Sequence, residues 1–317
     1  MKPLLCCSLL LLAAAAIARA EMTDLTHAVV VAPDGMSAPE QKAVQMLVDE
    51  VWKRTWVRWN VTNEPPSTPS AMVLIAPYTL LPQAHRVTVP APTAPEGFSI
   101  KSMPSSGVVV AGADARGLLF GVGRLLRELR MTRGSILLPG DLTIQTAPAY
   151  ALRGHQLGYR PKVNTYDGWT PDMYEQYIRD LAVFGANAIE LMPPRTDDAA
   201  DSPHFTLSQI DMMEAVSRIA DSYGIDLWIW YPAMDRDYSK PATVEKALAE
   251  WGGVFARLPR IDAIFVPGGD PGHTQPKHLM ALLEKQTGFS IKPTQTPRCG
   301  CLPKVLPPNG WPNSSKS

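Results

Sequence analysis

Between residues 151 and 286 the chain alternates four times between a short β-branched or aromatic run and an amphipathic segment, and this alternation limits the fold more than any other feature. Residues 151–158, 187–192, 225–231 and 261–266 read as strands. After the first, Thr170 is an N-cap with Pro171 at the first helical position. Tyr174, Tyr177, Ile178 and Leu181 then share a face, and Gly185 ends the helix. Met212, Ala215, Val216, Ile219 and Tyr223 mark a second helix ended by Gly224, and Val244, Leu248, Trp251 and Phe255 mark a third. Residues 276–286 read as a fourth. Short loops between such units imply parallel strands with right-handed crossovers. A closed (β/α)8 barrel needs eight units and about 250 residues. Residues 148–287 supply about four, which predicts an incomplete barrel.

From Gly288 onward the periodicity vanishes, while Pro, Ser, Lys and Cys accumulate. Synonymous codons for this tail, read two bases later, can spell VFHQTHPDAEVWVSPQSFTAEWLAEQF. That text has an extended run, AEVWVSPQ, where a fifth strand belongs. Residues 288–317 are therefore predicted to be a disordered, frame-shifted tail; a genuine disordered C-terminus is the alternative.

At 317 residues the chain has room for two ordinary domains. Its formal net charge is +0 and it has no basic block, so neither nucleic acid nor an anionic membrane surface is an expected partner. Lys2, the apolar run from Leu4 to Ile17, and Ala18-Arg19-Ala20 read as a signal peptide over residues 1–20, which predicts export to the periplasm or medium. Cys6 and Cys7 leave with it, and Cys299 and Cys301 lie in the tail, so the body carries no disulfide framework.

Residues 21–147 read as an α+β domain. Strand candidates are 28–32, 71–75, 97–102, 108–110 and 135–138. Ser37 and Glu40 form a capping box before a helix bearing Val44, Leu47, Val48 and Val51. The sharpest signal is VVVAGADARGLLFGVGRLLRE at residues 108–128. Gly112 permits a tight turn, Asp114 caps the following helix, and Gly117 and Gly121 clear one helix side for close approach to a sheet. A dinucleotide-binding turn is the competing reading. It places Asp114 where the middle glycine of G-x-G-x-x-G belongs, and a carboxylate there repels pyrophosphate.

This stretch resembles the signature of the small N-terminal domain of several glycoside hydrolases, namely the family 20 β-N-acetylhexosaminidases and the bacterial α-glucuronidases. In those families a catalytic (β/α)8 barrel follows directly. The resemblance covers roughly residues 25–286. It implies a small α+β domain, an α/β barrel start and action on O-glycosidic bonds of poly- or oligosaccharides, with no metal or cofactor and with carbohydrate as the partner.

In a barrel, chemistry sits at the C-terminal strand ends. The candidate substrate-binding residues there are Arg153 and His155 on the first strand, Glu190 on the second, Trp230 and Tyr231 on the third, and His273 after the fourth. Sugar hydrolysis needs a proton donor and a group that stabilises the anomeric cation. Gly268-Gly269-Asp270 resembles the Gly-Gly-Asp-Glu motif of family 20, which would make Asp270 the catalytic residue that orients the substrate's 2-acetamido group. Pro271 stands where that family has its general acid, and proline donates no proton. Arg153, in Leu152-Arg153-Gly154, resembles the family's sugar-binding arginine.

Each residue also has a structural reading. Arg153 could pair with a buried carboxylate, Asp270 could cap a turn, Glu190 could be an ion-pair partner, and Trp228 or Trp230 could be core. His155, His204, His273 and His278 lack metal-ligand spacing, and Asp197, Asp198 and Asp201 lack that of a calcium loop. The expected function is a glycoside hydrolase-like protein, inactive in this chain. The alternatives are a non-catalytic carbohydrate-binding protein and, more remotely, a nucleotide-binding α/β protein.

Overall fold

The computed structural model describes residues 22–103, 106–157, 166, 168–194, 201–267, 274–287 and 304–305. The signal segment, Tyr159, Arg195, Asp197, Asp198, the 268–273 turn with Asp270 and His273, and most of the tail lie outside them. The fold is mixed α/β, and the chain divides into two compact units, Met1–Pro148 and Ala149–Ser317.

In chain order the first unit contains β1 (Met22–Asp24), β2 (Val29–Val31), α1 (Ala38–Thr55), β3 (Asn60–Thr62), β4 (Met72–Pro77), α2 (Gln83–Arg86), β5 (Phe98–Met103), β6 (Gly107–Gly112), α3 (Ala115–Glu128), β7 (Arg130–Thr132), β8 (Ser135–Pro139) and β9 (Thr143–Thr146). Its main sheet has the order β3-β2-β4-β6-β5-β9. The first four strands run parallel, and β5 is antiparallel to both its neighbours. A small antiparallel sheet, β1-β8-β7, stands beside it.

Both faces of the main sheet are covered, which accounts for the continuous valine runs. Val30, Val73, Ile75, Val108 and Val110 lie on one face, where α3 packs and α1 packs against α3. Val31, Leu74, Ala76, Val109 and Ala111 form the other, closed by Leu81 and Val89. The glycines set the helix distance. A Cβ on Gly117 would stand 2.2 Å from the Gly97 carbonyl oxygen, and one on Gly121 would stand 2.9 Å from Val110 Cγ1. Asp114 uses both carboxylate oxygens, accepting from the Gly117 N–H at 2.8 Å and the Glu96 N–H at 2.8 Å. The capping box also forms, with the Ser37 N–H donating to Glu40 at 2.6 Å.

The second unit contains β10 (Gly154–Gln156), α4 (Pro171–Val183), β11 (Ala188–Leu191), α5 (Gln209–Tyr223), β12 (Asp226–Trp230), α6 (Pro241–Arg257), β13 (Ala263–Phe265), α7 (Pro276–Gln286) and β14 (Lys304–Val305). Its strands form one parallel sheet in sequential order, β10 to β14. Thr170 caps α4, and Gly224 closes α5 in the left-handed conformation. One expectation is corrected here. Lys304 and Val305, within the tail read as neither helix nor strand, pair with Ala263 and Ile264 along β13. Backbone pairing asks for no side-chain pattern, so the sequence carried no signal for it.

Candidate functional site on the open face of the parallel sheet

Side chains alternate across a strand, so register decides which residues meet. Gln156 is level with Glu190, Glu190 with Trp228, and Trp230 with Phe265 one step further toward the C-terminal ends. These five residues share one face. Their neighbours of opposite parity, Ile189, Leu191, Leu227, Ile229 and Ile264, are buried on the other. That second face is the helix-covered one, since His155 and Tyr231 on it meet α4 and α6. The five residues of the first face are half-buried or exposed.

Glu190 is the chemically informative group. Its Oε2 accepts from the Gln156 amide at 2.9 Å. Burial pushes its carboxyl above the ordinary range, and the Gln156 hydrogen bond only partly opposes this. A half-buried carboxyl that holds its proton more tightly than usual can donate to an oxygen or accept from hydroxyl groups. Trp228 and Trp230, both on β12, add aromatic surface on the side away from Gln156. Asp226 has the same parity but stands at the N-terminal end of β12, held by Arg260 at 2.8 Å.

Three sequence-predicted site residues fall elsewhere. Arg153 precedes β10 and so lies at its N-terminal end, not among the C-terminal strand ends where it was expected. Its guanidinium donates to the carbonyls of Gly185 at 2.6 Å and Tyr150 at 2.7 Å, and its N–H donates to Asn187 Oδ1 at 2.8 Å. It latches the first βα unit. His155 has helix-side parity; its Nε2 is 2.7 Å from the Tyr177 hydroxyl, with the rings edge-on at 5.5 Å. Tyr231, on the helix-side parity of β12, is 1% exposed and packs on Trp251 with ring centroids 3.9 Å apart. Its hydroxyl donates to Glu250 at 3.0 Å. Burial against the helix layer removes both His155 and Tyr231 from the open face. Asp270 and His273 lie outside the described residues. Gln156 is the residue that sequence reasoning missed. Only the β10–β11 register makes it Glu190's partner.

The fold is similar to that of solved glycoside hydrolases. The GH20 β-N-acetylhexosaminidase from Streptomyces coelicolor A3(2) superposes with a TM-score of 0.62 at 17% identity, over 83% of this chain and 60% of that one. A mutant Streptomyces plicatus β-hexosaminidase in complex with its product GlcNAc gives 0.61 at 16%, over 84% and 60%. A GH20 exo-β-N-acetylglucosaminidase from Vibrio harveyi, in complex with N-acetylglucosamine, gives 0.54 at 12%, over 84% and 47%. The chain thus spans about half to three fifths of the length of these structures. No protein-family model and no curated protein sequence matches the chain.

Proposed function

We propose that this chain is the leading part of a glycoside hydrolase-like protein that acts on O-glycosidic bonds of poly- or oligosaccharides. In this reading residues 21–147 form the supporting α+β domain and 148–287 the first half of a (β/α)8 barrel. The observation that carries it is the run of sequential parallel strands whose face away from the helices presents Gln156, Glu190 and the two tryptophans of β12 side by side. That face is the one a closed barrel turns inward. Asp270 is the proposed catalytic carboxylate, with Glu190, Trp230 and His273 contacting sugar; Arg153, His155 and Tyr231 are left to packing. Residues 1–20 direct export. Residues 288–317 are read as a frame-shifted tail, so this chain is expected to turn over no glycoside.

The test compares this chain with a protein in which the reading frame is restored after Gly288, on a panel of nitrophenyl glycosides. Turnover by the restored protein alone is the expected result. Turnover by the present chain would overturn the inactivity, and none by either would overturn the enzyme reading. A second reading, a non-catalytic carbohydrate-binding protein, is favoured by Pro271, which follows Asp270 where a proton donor is needed. It predicts saccharide binding by the restored protein without hydrolysis.

A further inference from the structure

The first unit carries a feature that its packing does not explain. Trp56 directly follows α1 with φ 62° and ψ 16°, in the left-handed region. That position favours glycine, and a bulky side chain there is strained. The ring is also 61% exposed, so burial does not offset the strain. Trp52, four residues earlier on α1, is half-buried, and its carbonyl accepts from the Trp56 N–H at 2.9 Å. Each indole has an arginine laid on it: the Arg133 guanidinium carbon is 3.4 Å from the Trp56 ring centroid, and that of Arg58 is 3.9 Å from the Trp52 centroid.

The setting is well anchored. The Gly134 N–H donates to the Thr55 carbonyl at 2.8 Å, tying the β7–β8 turn that bears Arg133 to the end of α1. Thr55 is itself buried and bonds Val51 at 2.8 Å. Nearby in sequence, Trp59 is buried, with its indole N–H donating to the Leu25 carbonyl at 2.9 Å. Of the neighbouring cations, Lys53 and Arg54 lie on the Glu50 carboxylate. Arg58 and Arg133 form no ion pair among the described residues, in a chain whose overall charge is zero.

We propose that the end of α1 and the β7–β8 turn form a surface platform for an acidic polysaccharide, with a sugar ring stacking on the exposed Trp56 indole from the side opposite Arg133 and carboxylates pairing with Arg58 and Arg133. Flat aromatic faces suit the C–H faces of pyranose rings, and planar guanidinium groups suit carboxylates. The cation–π contacts hold both arginines beside the rings before any ligand arrives. Nucleic acid would call for a longer basic stripe than these side chains provide. The choice of a saccharide rests on the glycoside hydrolase reading, but the platform is scored by binding and that reading by turnover, so the two can fail separately.

The test is calorimetric titration of the full chain with polygalacturonate, neutral laminarin and single-stranded DNA, at low and at high salt. Binding to polygalacturonate that weakens with salt, and exceeds binding to the other two, is expected. Trp56→Gly and Arg133→Gln should each weaken it at least about tenfold. Trp56→Gly relieves the strained backbone, so its melting temperature should not fall. Arg133 is an exposed turn residue whose replacement leaves the fold intact, which keeps the test decisive if the tryptophan variant is poorly soluble. No binding to polygalacturonate, binding that neither variant changes, or equal or tighter binding to laminarin or DNA would overturn the proposal.

Discussion

Gln156 and Glu190 face each other across the parallel β10–β11 pair, with the Gln156 amide donating to Glu190 Oε2 at 2.9 Å. The hydrogen bond favours the charged carboxylate and burial disfavours it, and burial prevails, so the folded-state pKa is raised. The sign of the stability effect follows from this. A raised carboxyl contributes stability that is fully present below its unfolded pKa and disappears as pH climbs through the folded value. Glu190→Gln removes that loss. Thermal denaturation at acid and at neutral pH should show the variant gaining on the parent as pH rises from the ordinary carboxylate range upward. Parallel pH profiles for the two proteins would show that Glu190 titrates like a solvent-exposed side chain.

Trp230 and Tyr231 are adjacent in sequence and opposite in role. Tyr231 is sealed between β12 and α6, so Tyr231→Ala should cost about 3–5 kcal/mol, the usual toll for emptying an aromatic core site. Trp230 is only half-buried on the open face, and Trp230→Ala should cost about 1–2 kcal/mol. Urea denaturation midpoints compare them directly. Equal losses would mean that both rings are core.

In the first unit, Gly117→Ala drives a methyl group against the Gly97 carbonyl, 2.2 Å from the ideal Cβ position. Backbone at that contact yields less readily than a side chain, and a loss of about 1–3 kcal/mol is expected. Asp114→Ala removes the acceptor for two backbone N–H groups and should cost about 1–2 kcal/mol. Equilibrium unfolding of each variant measures both, and an unchanged midpoint for Gly117→Ala would contradict the close helix–sheet approach.

Arg260 gathers three carboxylates at the N-terminal end of the parallel sheet: Asp262 at 2.5 Å, Asp226 at 2.8 Å and Asp221 at 3.4 Å. The guanidinium is buried while its partners are partly exposed, so water can compensate some of the loss. Arg260→Leu should cost about 3 kcal/mol, the low end for breaking a buried ion pair. A chemical-denaturation curve superimposable on that of the parent would show that the cluster adds nothing.

Much of the architecture was legible because its signals are local. Thr170-Pro171, Gly224 and Asp114 mark helix ends through bonds made within a few residues, and the structure forms all three. The short strands β1, β3, β7 and β9 were missed because three or four partly exposed residues carry no usable period. The site was less legible. A strand read over 151–158 is Gly154–Gln156 among the described residues, which leaves Arg153 before the strand, at the N-terminal end of the sheet.

The sequence by itself determined the order of the four βα units, the helix caps and the alternation of side chains along each strand, since all of these depend on neighbours close in the chain. Only the tertiary structure decided which alternating set the helices cover, that Gln156 meets Glu190, and that Arg133 lies over Trp56, 77 residues away. Those outcomes depend on register and packing between segments far apart in sequence. A period of two names two faces, but it takes the helix layer to bury one and leave the other open.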